Sequence, residues 1–166
     1  MNNMIELTAH AWATLDDAYG KADRIPALLR ELDSLPPSDS WRSEPYYSLW
    51  SALYHQGSVF SGSCAALPYL MHFITTHAQA PQAFGLLQLV VCIEAARANG
   101  NGPRLPFSLS SSYEMAIRRL PETVVKLLPI VSGIGDTRIL CAAIAVAAKH
   151  TELAMSILDP DYLAPA

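Results

Sequence analysis

The chain has 166 residues, 51% of them hydrophobic and 16% charged, and a net charge of −4. This suits a single domain, 1–166, with a sizeable core and no need of a stabilising metal or disulfide. Residues 1–44 carry eight acids against four bases, 45–93 carry no Asp, Glu, Lys or Arg, and from 94 onward there are seven of each sign, so no basic face for nucleic acid is evident.

In chain order, MNNMIELTAHAWATLDD lacks the basic segment and apolar block of a secretory leader. Apolar residues then recur at helical spacing: Ile25, Leu28, Leu29 and Leu32; Tyr46, Leu49, Trp50 and Leu53; Leu67, Leu70, Met71 and Ile74; Leu86, Leu89, Val90 and Ile93. Strand-like alternation is nowhere sustained, which predicts an all-α fold. Gly20, Pro36 with Pro37, Gly57 with Gly62, Pro81, the NGNGP run at 99–103 and Gly133 with Gly135 punctuate the pattern. The expected helices are 8–19, 22–34, 45–55, 62–77, 82–98, 111–131, 136–149 and 151–158, with Asp136 as the N-cap of the seventh. NGNGPR reads as a flexible loop, since no strand precedes it and neither GxGxxG nor GK[ST] is present.

A charge-free run such as 45–93 is a membrane span, a core or a binding surface. Its apolar blocks, 65–74 and 84–93, are interrupted by His72 and Gln88 and fall short of the roughly 20 residues a span requires. The run is therefore expected to be core, with Trp50 largely buried between helices. Cys64, Cys92 and Cys141 are odd in number and flanked by apolar or small residues, as buried free thiols are. They point to a reducing, cytoplasmic setting.

RIPALL at 24–29, ALPYLM at 66–71 and RLPETV at 119–124 place Pro26, Pro68 and Pro121 at intervals of 42 and 53 residues, each ahead of an apolar helical face. Helical pairs of the HEAT or armadillo kind repeat every ~40–47 residues, and proline is tolerated in a helix's first turn. The run LWSALYHQGSVFSGSCAALPYL at 49–70, through Trp50, Leu53, His55, Gln56, Gly57, Val59, Phe60, Ala65, Ala66, Leu67 and Pro68, resembles a segment of bacterial HEAT-like repeat proteins. The resemblance implies a right-handed α-solenoid of about four antiparallel helix pairs used for protein–protein contact. Some proteins of this kind act as immunity factors against a neighbouring toxin, and the resemblance brings no catalytic residues.

His55, Ser61, Ser63 and Cys64 invite a hydrolase-type reading, but the surrounding run supplies no acid to orient a base. They read better as a helix-to-helix connector, with His55 and Gln56 ending one helix, Gly57 in the left-handed closing position and Ser61 or Ser63 capping the next. His10, His55, His72, His77 and His150 form no HExxH pair and the cysteines no CxxC, so neither metal nor cofactor is expected. The expected partner surface is the acidic N-terminal part: Asp16, Asp17, Asp23, Glu31, Asp33, Asp39 and Glu44 for a basic protein, with Trp12, Tyr19 and Trp41 as anchors. The sequence thus favours a non-enzymatic binding protein, most concretely a toxin-neutralising immunity protein, over a general scaffold. It leaves homodimerisation open.

Overall fold

The charge-free run folds into the centre of the protein. In the computed structural model, which describes residues 4–159, it forms α3 (Tyr46–Leu53), α4 (Ser61–Thr76) and α5 (Gln82–Ala98). Before it lie α1 (Ala9–Trp12) and α2 (Ile25–Glu31); after it lie α6 (Phe107–Arg118), α7 (Leu120–Leu127), α8 (Ile134–Ala147) and α9 (Thr151–Leu158). α4 packs on α2, α3, α5, α6 and α7, and α5 packs on α3, α4, α8 and α9. Enclosed in this way, both bury side chains on nearly every side, including Leu67, Leu70, Ile74, Leu86, Leu89, Val90 and Ile93. A helix that is apolar all round belongs in an interior, so this stretch is core. The fold is all-α apart from one two-residue hairpin among the described residues, and no helix is long and apolar enough to cross a membrane.

Several boundaries differ from expectation, each for a local reason. The helix expected over 8–19 stops at Trp12, because Asp17 Oδ1 accepts from the Tyr19 N–H (2.7 Å) and closes a turn that competes with helix. Asp16–Asp17 then pairs antiparallel with Gly20–Lys21. The segment 22–34 is α2 with 3-10 turns at Ala22–Arg24 and Leu32–Ser34. The long helix expected over 111–131 begins at Phe107 and breaks at Arg119, where Pro121, lacking an N–H, restarts the chain as α7; a 3-10 turn follows at Leu128–Ile130. α8 starts at Ile134 with Gly133 as its N-cap. Asp136 is not the cap; it stands inside the first turn and its Oδ2 accepts from Ser132 N (2.9 Å) and Ser132 Oγ (2.7 Å). The loop at 99–103 is pinned rather than free: Asn101 O accepts from Val59 N (2.9 Å) and Asn99 Oδ1 from Thr151 Oγ1 (3.0 Å).

The HQGS connector is a β-turn, not a helix cap. α3 ends at Leu53, after which His55 and Ser58 exchange backbone hydrogen bonds (3.0 and 2.9 Å) around Gln56 (φ 49°) and Gly57 (φ 81°). Two successive left-handed residues define a type I′ turn and explain the glycine. Ser63, in the first turn of α4, fastens the two helices: its hydroxyl donates to Leu53 O (2.6 Å) and accepts from Phe60 N (2.9 Å). Ser61 Oγ accepts from Asp16 N (2.8 Å), tying the hairpin to α4. Gly62 permits this approach, since a Cβ there would lie 2.9 Å from Ala22 Cβ and from Asp16 O.

The three prolines are not equivalent. Pro26 and Pro121 sit in the first turns of α2 and α7, but Pro68 lies in the middle of α4, where no helix starts and where it leaves the Cys64 carbonyl without its i+4 donor. Trp50 is half-buried rather than enclosed, edge-on to Tyr54 at 6.1 Å. Trp12 is the enclosed tryptophan: wholly buried, it donates its indole N–H to Glu6 O (2.9 Å). Trp12→Ala is expected to lower unfolding free energy by about 3–5 kcal/mol, and Trp50→Ala by visibly less, measured by denaturant titration. Equal losses would contradict the burial assignment.

Candidate functional site

Tyr46 begins α3 and Gln82 begins α5, and both reach the same main-chain oxygen. Tyr46 Oη donates to Pro36 O (2.9 Å) and Gln82 Nε2 donates to it as well (3.3 Å). Burial raises the Tyr46 phenol above its usual pKa, so it stays a donor throughout the neutral range. The 35–41 segment is thereby held across α3 and α5. Between them opens a groove of about 830 Å³, lined on the loop side by Pro37, Asp39 and Trp41 and on the helix side by Tyr47, Trp50 and Gln88. Trp41 is 71% exposed and Tyr47 41% exposed, the two rings meeting edge to face at 5.6 Å. The Arg42 guanidinium covers Trp41 at 4.3 Å from the ring centroid. Asp39 has no ion-pair partner among the described residues. Large exposed aromatic rings around a cleft are the usual anchors of protein recognition.

The residues expected to bind a partner separate into two groups. Asp39, Trp41 and, unexpectedly, Trp50 meet at the groove. Asp23, Glu31 and Asp33 are exposed nearby in sequence, while Glu44 accepts from Ser48 N (3.2 Å) and Ser48 Oγ (2.9 Å) at the start of α3. Trp12 cannot anchor a partner, being buried. Asp17 is equally internal: its carboxylate is enclosed and pairs with Arg24 (3.2 Å), whose guanidinium lies 5.0 Å from the Tyr19 ring. Asp16 pairs with Lys21 at 2.7 Å on the surface. Tyr46, Tyr47, Gln82 and Gln88 are groove residues the partner-surface reading missed. The two glutamines were legible only as polar interruptions of an apolar run.

The connector offers no activated nucleophile. Burial pushes the Cys64 thiol up to about 11 and Cys92 up to about 12, the opposite of what nucleophilic attack requires. The His55 imidazole stands edge-on to Tyr19 at 5.5 Å. Cys141, expected to be buried, is exposed, because α8 turns that face towards an apolar concavity of about 400 Å³ with Val124, Leu128, Val131, Leu140 and Ile144. Among the described residues no group of three or more His, Cys, Asp or Glu is placed to hold a metal ion.

A second polar cluster was not anticipated. Arg97 grips Glu94 through Nε and an Nη (both 2.8 Å), and buried Tyr113 donates its hydroxyl to Glu94 Oε2 (2.6 Å). Desolvation beside the carboxylate holds Tyr113 well above the phenol range, so it remains protonated. The cluster ties α5 to α6, and the i, i+3 spacing of Glu94 and Arg97 was its only sequence signal.

No protein-family model, curated protein or solved structure matches the chain.

Tyr46→Phe removes one of the two donors to Pro36 and is expected to cost about 1 kcal/mol, with a shifted Trp41 indole resonance showing the loosened loop. An unshifted resonance would mean the loop is held by other contacts. Thiol titration of the native protein should modify Cys141 rapidly and leave Cys64 and Cys92 protected until unfolding. Rapid reaction of all three would contradict their burial.

Proposed function

We propose that this protein is a binding module of HEAT-like helical pairs, stacked as an α-solenoid, that docks a basic protein at the acidic, aromatic groove between the 35–41 loop, α3 and α5. The most concrete form of the reading is an immunity protein that occludes a cognate toxin in the cytoplasm. The groove carries the reading: exposed Trp41 and Tyr47 line it with Asp39, which has no ion-pair partner among the described residues, and the segment 31–44 holds four acids and one base. Aromatic anchors in a cleft supply affinity, and an acidic surround accelerates encounter with a basic partner. The contacts of α4 with α6 and α7 and of α5 with α8 and α9 are those that stacked helical pairs would make. The resemblance of 49–70 to bacterial HEAT-like proteins supports the immunity role.

The test is co-expression with the product of the adjacent gene, scoring complex formation and protection of cells. The reading expects a complex that weakens with salt and a Glu31→Lys/Asp33→Lys/Asp39→Lys variant that loses most association rate while its stability stays within about 0.5 kcal/mol per substitution. No complex and no protection would sink the immunity role. A complex indifferent to salt and to the charge reversal would move the docking surface elsewhere.

A further inference from the structure

We infer that the groove receives an arginine side chain presented by the partner. This deepens the docking reading and rests on it. The groove lining offers three complements of a guanidinium. The first is π surface: the indoles of Trp41 and Trp50 and the ring of Tyr47 line one cleft, and a flat, weakly hydrated cation stacks on such faces better than an ammonium does. The chain itself shows the preference, with the Arg42 guanidinium 4.3 Å from the Trp41 centroid. The second is charge. Asp39 lines the groove without an ion-pair partner among the described residues, and Arg42, already on Trp41, is the single base among the five charged residues of 31–44.

The third is an unmet acceptor. Pro36 O can only accept, so the amide nitrogen of Gln82 must face it (3.3 Å), which fixes the amide's orientation. Gln82 Oε1 is then left as the one buried side-chain oxygen or nitrogen without a hydrogen-bond partner among the described residues. A native structure rarely keeps such an atom unpaired. A guanidinium has five N–H donors and no acceptor, so one group can meet the Asp39 carboxylate and the rings together, and reaches Gln82 Oε1, which is closed to solvent, only where the 35–41 loop yields to it. An apolar side chain would leave Asp39 and Gln82 unmet, and lysine lacks the flat face.

The experiment needs no partner protein. Nα-acetylarginine methylamide is titrated into the full chain while the indole N–H resonances of Trp41, Trp50 and buried Trp12 are followed, alongside the lysine and citrulline analogues. The arginine compound should shift Trp41 and Trp50 but not Trp12. Citrulline, the same shape without the charge, should bind about tenfold more weakly, lysine should bind more weakly than arginine, and Asp39→Asn should weaken arginine binding about fivefold with the Trp12 resonance unmoved, showing an intact fold. Equal shifts from arginine and citrulline, or none at Trp41 and Trp50 from arginine, would overturn the inference. The two readings fail separately: a groove that ignores arginine while the partner still docks overturns only this one, and a groove that takes arginine with no partner complex overturns only the docking role.

Discussion

One carbonyl oxygen, that of Pro36, accepts from a tyrosine on one helix and a glutamine on another, and the groove depends on it. Tyr46 and Gln82 are 36 positions apart in sequence yet converge there at 2.9 and 3.3 Å. The segment from Leu35 to Trp41 begins in a left-handed residue (Leu35, φ 49°) packed on the core, and that convergence fastens it across α3 and α5. With it, the exposed Trp41 indole and the Asp39 carboxylate line one groove with Tyr47 and Trp50. Each bond contributes about 0.5–1.5 kcal/mol net, which is small against the core but concentrated on one loop.

The core makes this economy workable. α4 and α5 carry more than half of the charge-free run and are packed on by helices from both ends of the chain, so the protein's rigidity comes from dispersion and apolar burial at its centre. Charges are excluded from that centre because an unpaired ion there is costly. The two exceptions are paired: Asp17 with Arg24, and Glu94 with Arg97 and Tyr113. The remaining acids of the N-terminal quarter are thereby left at the surface, where a long-range field can act on a partner.

Helical periodicity made the core legible. α5 and α9 have the boundaries predicted, and α3 and α4 lie within two residues, because long segments with apolar faces at 3.6-residue spacing admit few other folds. What escaped was decided by single side chains and by tertiary proximity. Asp17 closes a turn where periodicity suggested continued helix, and Pro121 divides a segment that was apolar enough to be one helix. HQG was legible as a connector but not as a β-turn, since a glycine with left-handed φ serves either a helix cap or a type I′ turn. At the site, Asp39 and Trp41 were visible as an acid and an aromatic in a polar loop. Trp12 and Asp17 look identical by that criterion, and only packing shows one indole under Tyr69 and one carboxylate under Arg24. The glutamine arm of the groove showed in the sequence only as a polar interruption of an apolar run, because its role depends on where α5 lies relative to α3.

A protein partner, as proposed, docks on the groove rather than on the α7–α8 concavity, which is lined by exposed Leu128 and Ile144. Hydroxyl-radical footprinting of the complex separates the two directly. Docking at the groove predicts strong protection of Trp41 and Tyr47 with Leu128 and Ile144 as reactive as in the free protein; protection confined to Leu128 and Ile144, with Trp41 and Tyr47 still reactive, would contradict it.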